Sequence, residues 1–316
     1  MMACYLQCWD GRRFQLPTAI AWRLEYGLGL PCDSFAVTIP WAAGQEKLLE
    51  KGVRFVAKWQ GDTVFTGVVD ECECAWTQEG SLAHLAGRGL QALLLDNQAE
   101  AADYGVATLE DILQVHVRPY GIELAEEVRL PAVEGFSIAS GSSRWQVLYQ
   151  FARYHGGVTP RFDRLGRLSL SPMGNGCNSL DNTLPVVSLT RRTKRYGMLS
   201  QILVRDNARL TSQTVENPEF LRQGGCASRV LLMPRNSSYQ SMRYNGEFQL
   251  KRSAAERNRV ELTIALPFLA WPGELVQLSQ PAWSGGGRYR VLESVVSMTG
   301  DGYQTRLALG EPDVVL

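Results

Sequence analysis

Apolar and polar residues alternate along much of the first hundred residues, the period expected of β-strands with one buried face. The clearest example places large apolar side chains at every second position: Phe35, Val37, Ile39 and Trp41. Two β-rich runs, 53–59 and 63–69, flank Gln60-Gly61-Asp62, and a short loop containing glycine predicts a hairpin. With a further strand at 82–86, this part of the chain predicts a compact sheet that closes or packs on itself to remove its edges.

Near residue 100 the spacing of apolar residues changes from that of strands to that of helices. Thr108 is a good N-cap for a helix whose apolar residues recur at helical spacing and which ends at 119–121. A second helix, with Trp145 and Leu148 on its apolar face, follows the loop 140–143 and stops at Gly156-Gly157. A hairpin at 159–171 follows, so residues 99–185 predict a small α+β domain that ends in a turn-rich linker at 174–182.

Strand patterns return after the linker. Residues 199–204 predict a strand, and Val260, Leu262 and Ile264 alternate in another. Segments 274–278, 288–298 and 304–309 complete a barrel or sandwich. Residues 206–258 are polar and basic, and their Asn245-Gly246 pair predicts a tight turn between two strands. The predicted fold class is therefore mainly β with an inserted small α+β domain: a first β-barrel-like domain at 1–98, the α+β domain at 99–185, and a second barrel-like domain at 186–316 with a basic insertion at about 206–258.

Composition is that of a globular protein, with 45% hydrophobic and 20% charged residues in 316. No signal peptide or membrane-spanning run is recognised, so we expect synthesis and folding in the cytosol and no membrane insertion. The net charge is zero but unevenly spread: 186–259 holds 14 Lys and Arg against 5 acidic residues, whereas 1–100 holds 8 against 12. Eight Trp and eleven Tyr favour β-structure with protein partners.

Candidate chemical groups lack the spacing that catalysis or metal binding needs. The seven cysteines include no CxxC pair, and Cys72 with Cys74 on one strand face is better explained as two half-buried thiols than as a metal site. His84, His116 and His155 each lack a second ligand at a suitable spacing. We therefore expect no metal and no cofactor.

Catalytic motifs are equally weak. No GxSxG or P-loop motif occurs, and residues 87–92 (GRGLQA) fit the permissive dinucleotide pattern without the βαβ context it requires. Asp70 and Glu71 point to opposite faces of a regular strand and cannot flank one glycosidic bond. Acids at 110–111 suit a helix N-terminus. We expect no catalytic residues and no enzymatic activity.

One cluster of basic residues stands out: Arg191, Arg192, Lys194 and Arg195, followed by Tyr196. Such a combination occurs on nucleic-acid-binding surfaces, but it also suits a solvated strand edge, since Lys and Arg discourage edge-to-edge pairing. A positively lined assembly surface is the third interpretation.

Several short motifs, in a fixed order, resemble bacteriophage tail hub proteins, a group that includes the Mu-type hub, late control protein D and the hub part of type VI secretion spikes. The motifs lie at 64–70 (VFTGVVD), 87–96 (GRGLQALLLD), 109–122, 143–148 with 166–170, 289–291 and 302–309. They span most of the chain except 206–258. This collinearity carries the resemblance, because each motif alone is short and rich in glycine.

The resemblance implies a structural baseplate hub of a phage or phage-like tail, located in the virion and synthesised in the bacterial host. Two similar barrels per subunit would let a homotrimer adapt the sixfold tail tube to the threefold central spike. The implied partners are therefore the tube protein, the spike protein, the tape-measure protein and other baseplate proteins, with DNA at most in passage. Two other interpretations stay open: a receptor- or carbohydrate-binding tail protein, with Trp271 or Trp283 stacking on sugars, and a peptidoglycan hydrolase.

Overall fold

The fold is mainly β, as the sequence predicts, with 48% of residues in strands and 18% in helices. The structure is a computed structural model, and it describes residues 2–28, 32–42, 44–78, 80–174, 176–180, 183–206, 211–233, 237–255, 257–279 and 287–314.

The first part of the chain forms seven strands and one short helix. These are β1 (Met2–Cys8), β2 (Arg13–Gln15), β3 (Ala21–Gly27), β4 (Ser34–Pro40), α1 (Glu46–Leu49), β5 (Gly52–Trp59), β6 (Asp62–Thr77) and β7 (Gly80–Gly89). The strands pair antiparallel in the order β3-β4-β7-β6-β5-β1-β2. Their alternating apolar residues, such as Phe35 and Ile39, bury one face of the sheet, so the period of two is the origin of this core.

The predicted hairpin joins β5 to β6 through a shorter loop than expected. Trp59 pairs with Asp62, which leaves only Gln60 and Gly61 in the turn. Both have positive φ, 53° and 96°, as a type I′ turn requires. Glycine supplies the second of these conformations without a steric cost.

The α+β insert follows, with its own core. Its elements are α2 (Ala92–Leu95), β8 (Ala102–Ala107), α3 (Leu109–His116), a 3₁₀ turn (Arg118–Tyr120), β9 (Val133–Ile138), α4 (Arg144–Tyr149), a π-helical segment (Gln150–His155), β10 (Arg161–Phe162) and β11 (Leu168–Ser169). Thr108 and Ser143 cap α3 and α4 through capping boxes. Gly121, at φ 71°, ends the 3₁₀ turn. Both predicted helices and the hairpin are therefore present.

Six later strands among the described residues extend the same sheet. They are β12 (Cys177–Leu180), β13 (Val186–Thr193), β17 (Asn258–Ile264), β18 (Leu275–Leu278), β19 (Gly287–Thr299) and β20 (Gly302–Gly310). β19 pairs with β3 from Glu293 opposite Gly27 to Met298 opposite Trp22, which joins both parts into one 13-stranded sheet. No strand pairing among the described residues closes either part into a barrel. Within the predicted linker, β12 instead pairs parallel with β18.

The basic stretch between β13 and β17 folds into a second small unit, which we call the inserted unit. It contains β14 (Gln201–Asp206), β15 (Thr211–Glu216), α5 (Pro218–Arg222), β16 (Ser228–Met233) and α6 (Tyr239–Ala254). β14 is the central strand of a three-stranded sheet, antiparallel to β15 and parallel to β16, and α6 packs on that sheet. The unit thus starts before residue 206, because β14 belongs to it.

The turn predicted at Asn245-Gly246 is wrong, since both residues lie in the middle of α6 and are buried. The Asn245 side chain donates hydrogen bonds to the carbonyls of Ser241 (2.9 Å) and Tyr154 (3.3 Å). A Cβ atom on Gly246 would lie 2.6 Å from Val215 Cγ2 and 2.9 Å from Val204 Cγ2. Glycine is therefore used here for close packing of the helix on the sheet, not for a turn.

Candidate assembly surface

Arg191 and Arg192 lie on β13, an edge strand of the large sheet, and Lys194 and Arg195 follow directly after its end. Arg191, Arg192 and Arg195 are exposed, and none of them has an ion pair within the described part of the chain. Lys194 lies over the Tyr196 ring, 5.9 Å from its centroid, and Tyr196 is 88% exposed. The cluster is therefore an open, positively charged strand edge.

The strand geometry divides the cluster between the two faces of the sheet. Arg191 is paired with Val260 on the side of the apolar core, and Arg192 with Arg259 on the opposite side. Arg259 is neutralised by Glu293 (2.7 Å) and lies 3.4 Å from Glu261. Arg191 and Arg192 therefore point to opposite faces, and the cluster does not converge on one point as a ligand site would require.

The large sheet also presents a continuous polar face across the junction of its two parts. One row of paired residues crosses six strands: Gln304, Ser297, Arg23, Ala36, Ala86 and Glu71. The adjacent row, which includes Trp22, Val37 and Leu85, lies in the core. Since successive residues of a strand point to opposite faces, one face is apolar and covered while the other carries small and polar side chains.

The GRGLQA motif is explained by strand packing. A Cβ on Gly87 would lie 2.0 Å from the Val68 carbonyl oxygen, and a Cβ on Gly67, on the paired strand, 2.2 Å from that of Arg88. These glycines let β6 and β7 approach each other and do not form a phosphate-binding loop.

The candidate carboxylates are held in structural contacts. Arg88 binds both Asp70 (2.7 and 3.0 Å) and Asp96 (2.7 and 3.0 Å). Asp111 accepts hydrogen bonds from the Thr108 side chain and backbone, which hold its pKa below the usual range. Glu110, beside it, pairs with Arg118.

Burial disfavours the charged forms of two histidines and of several cysteines. Burial, with the nearby Arg144, lowers the pKa of His116 to about 4, and burial lowers that of His155. Burial raises the pKa of Cys4 to about 12 and that of Cys72 to about 11, so both are protonated thiols at neutral pH. No group of three or more His, Cys, Asp or Glu in the described residues could hold a metal ion.

Trp271 is unsuited to stacking on sugars. Its ring packs edge-on against Tyr26 at 5.1 Å, and the Arg164 guanidinium covers it at 5.3 Å. Trp283 lies outside the described residues. The exposed tryptophans are instead Trp9 (68%) and Trp76 (79%), which the sequence patterns did not single out.

A buried carboxyl at the joint between the first β-part and the α+β insert was also missed. Asp33 lines a small cavity with Tyr26, Gln91 and Arg164, and its carboxylate accepts a hydrogen bond from the Gly27 amide at 3.1 Å. Burial raises the pKa of Asp33 to about 7, in spite of that bond. Nothing in the local sequence marks it, because its burial depends on a loop 130 residues further along the chain.

No helix in the described part of the chain combines the length and apolar character that crossing a bilayer requires.

Solved structures of phage tail proteins share this architecture. A tail protein from Neisseria meningitidis MC58 superposes with a TM-score of 0.78 at 17% identity, covering 99% of this chain and 97% of the other. The 43 kDa tail protein of prophage MuSo2 from Shewanella oneidensis gives a TM-score of 0.77 at 16% identity and covers 99% of each chain. The chain therefore has the fold of phage tail proteins.

The likeness extends to secretion machinery. A type VI secretion component of E. coli, itself described as structurally similar to the bacteriophage T4 tail proteins gp27 and gp5, has a TM-score of 0.56 at 12% identity over 92% of this chain and 73% of that one. The resemblance to tail hub proteins is thus confirmed as a likeness of fold. No protein-family profile matches the chain, and no curated protein is significantly similar in sequence.

Proposed function

We propose that this chain is a structural hub of a phage-like tail baseplate, acting as a trimeric ring between a sixfold tail tube and a threefold spike. The observation that carries the proposal is the junction of β3 with β19, which joins two β-parts of one chain into a single sheet. Three such chains supply six sheet segments, the number that a sixfold tube meets.

The polar sheet face supports this role. A ring built from sheets needs one face that packs on the subunit's own core and another that tolerates water and passing cargo. Small and polar residues across the β3–β19 junction, such as Ser297, Arg23 and Ala36, meet the second requirement. DNA in passage would contact this face only transiently.

The strand edges support contacts between subunits and with neighbours. β13 and β2 are the two ends of the sheet path, and an unpaired edge is a site for pairing or docking. The partners proposed on this basis are two further copies of the chain, the tube protein, the spike protein, the tape-measure protein and other baseplate proteins. Symmetry adaptation needs no catalysis. Of the candidate carboxylates, Asp70 and Glu110 form ion pairs with arginine, and Asp111 belongs to a helix capping box.

The oligomeric mass of the purified protein tests the ring. We expect light scattering on a sizing column to give three times 35.1 kDa for the protein alone, or a complex that contains three copies of the chain once the tube and spike proteins are co-expressed. Negative-stain images of that species should show a threefold ring. A chain that stays monomeric both alone and with both partners would contradict the proposal.

A further inference from the structure

The three-stranded sheet of the inserted unit has one covered face and one open face. α6 packs on the covered face through the cluster that contains Ile202, Val204 and Val215. On the other face, Leu203 is paired with Val230 and Arg205 with Leu232. Val230 is 60% exposed and Leu232 is 59% exposed, so two large aliphatic side chains of β16 stand side by side in solvent.

The two edges of this small sheet differ in chemical character. On β15 the exposed side chains are polar: Ser212, Thr214 and Glu216. On β16 they include Val230 and Leu232, and within the described residues β16 pairs with no strand other than β14. Exposed edges are usually protected by charged or polar side chains because bare edges recruit other strands. β15 follows this rule, and β16 breaks it.

Positive charge surrounds the apolar edge. Arg205 lies on the open face beside Leu232, and Arg229 precedes Val230 on β16. Both arginines are exposed, and neither has an ion pair within the described part of the chain. Arg205 shares the open face with Val230 and Leu232, and Arg229 points to the opposite face, beside Ile202. An occupant of this edge must therefore cover aliphatic side chains, complete backbone hydrogen bonds and bring negative charge to a positively charged edge.

We propose that β16 binds an extended segment of a partner protein in which apolar and acidic residues alternate, added to the sheet as a fourth strand. Its backbone would use the free N–H and C=O groups of the edge, as in other cases of strand addition. Its apolar side chains would cover Val230 and Leu232. Because successive residues of a strand point to opposite faces, its carboxylates would lie on the face that carries Arg229, which is paired with Ile202. Bidentate pairs between arginine and carboxylate are among the stronger ion pairs.

Charge argues against other occupants. Edge-to-edge pairing of two copies would bring the same arginines of both chains together, and like charges across a strand pair are destabilising. Single-stranded nucleic acid binds through stacking on aromatic rings, which Val230 and Leu232 do not provide. The inference does not depend on the trimeric ring, because the edge exists in a single chain.

Fluorescence anisotropy with the purified full-length protein tests the proposal. The probe is a labelled eight-residue peptide of alternating valine and glutamate, compared with one of alternating valine and lysine. We expect the glutamate peptide to bind at least tenfold more tightly than the lysine peptide. V230E/L232E should weaken its binding at least tenfold, whereas T214E, on the opposite edge of the same sheet, should leave it unchanged.

A second variant keeps the test decisive if V230E/L232E fails to fold. R229E changes one exposed side chain, and it should reverse the preference toward the lysine peptide. Equal binding of the two peptides, or binding that both variants leave unchanged, would overturn the proposal. A wild-type dimer that V230E/L232E dissociates would assign the edge to a second copy, and tighter binding of a single-stranded oligonucleotide than of the glutamate peptide would assign it to nucleic acid. Either result would equally reject the acidic segment.

Discussion

Asp33 has a carboxyl group that the fold largely desolvates. Its carboxylate lies in the cavity between the first β-part and the α+β insert, with the Gly27 amide as its hydrogen-bond donor. Because burial raises its pKa to about 7, the folded protein binds the proton more tightly than the unfolded chain does. Protonation of Asp33 therefore adds to the free energy of unfolding below about pH 4. This contribution is lost as the pH rises from about 4 to about 7.

Replacing this acid by its neutral isostere should remove that pH dependence. We expect Asp33→Asn to match the wild type in free energy of unfolding near pH 4 and to exceed it progressively up to pH 7, by at most about 1.4 kcal/mol per pH unit. Above pH 7 the difference should level off. Urea titrations between pH 4 and pH 8 measure the effect, and Asp301→Asn, at an exposed turn, is the control that should keep the wild-type slope. A constant difference between Asp33→Asn and wild type at all pH values would contradict the assignment.

Arg153 is another ionisable residue shielded from water, and aromatic rings contact it where Asp33 has a hydrogen bond. It is fully buried, and its guanidinium nitrogens have no hydrogen-bond partner among the residues that the structure describes. Its guanidinium instead stacks on Phe248 of α6, 3.2 Å from the ring centroid, and lies 5.5 Å from the Tyr244 ring. Burial lowers its pKa. This cation–π contact, of the order of 2 kcal/mol when desolvated, joins the π-helical segment of the α+β insert to the inserted unit.

At the scale of elements, the close packing of α6 on its sheet depends on Gly246, which has no side chain. A glycine in an exposed helix costs about 1 kcal/mol relative to alanine, so propensity alone would make Gly246→Ala stabilising. The added Cβ would, however, overlap methyl groups of Val204 and Val215, and overpacking a core costs about 1–3 kcal/mol. The second effect is the larger.

We therefore expect Gly246→Ala to lower the free energy of unfolding by up to about 2 kcal/mol, the overpacking cost less the gain in propensity. Thermal and urea unfolding followed by circular dichroism measure the change. Gln240→Ala, at an exposed position of the same helix, should be neutral or slightly stabilising. If Gly246→Ala stabilised the protein as much as Gln240→Ala, close packing would not be the reason for the glycine.

Sequence patterns predicted the elements whose causes are local. The period of two gave β4 and β17, the N-cap Thr108 helped to give α3, and the apolar spacing after the loop 140–143 gave α4. The α6 helix was missed because part of its buried face is formed by Asn245 and Gly246, which weakens the helical period and imitates a turn. The junction of β3 with β19 spans more than 250 residues and leaves no local signal.

Of the two candidate surfaces, the sequence revealed one and not the other. The basic cluster at 191–195 is visible as composition, and its placement on an edge strand agrees with one of the interpretations given for it. The exposed pair Val230 and Leu232 was not visible, because an apolar run in a strand is normally assumed to be buried. Which strand lies at an edge is a property of the assembled sheet.

At the scale of the whole molecule, the sheet ends in a charged edge at β13. Its three exposed arginines carry no ion pair among the described residues, so a neighbour that contacts this edge would supply the opposite charge. Partly desolvated charge pairs between proteins influence both binding rate and partner choice.

Charge reversal of the basic cluster should therefore impair assembly and leave the fold intact. We expect R191E/R192E/K194E/R195E to lower the yield of complete tails at least tenfold in cells that express the tail genes, as counted by electron microscopy. Circular dichroism of the purified variant should match that of the wild type, since these side chains are largely exposed. Reversal of Arg243, an exposed residue on α6, is the control. An unchanged tail count would show that β13 takes no part in assembly.

The inserted unit leaves the large sheet and returns to it at almost the same place. Thr193 on β13 pairs with Asn258 on β17, and the Lys194 amide donates to the Arg257 carbonyl, so some sixty residues begin and end on neighbouring strands. A tight turn could bridge the same two positions. Evolution can therefore lengthen, replace or discard this unit without changing the register of any strand in the sheet. Chains that share this scaffold can in this way carry different attachments.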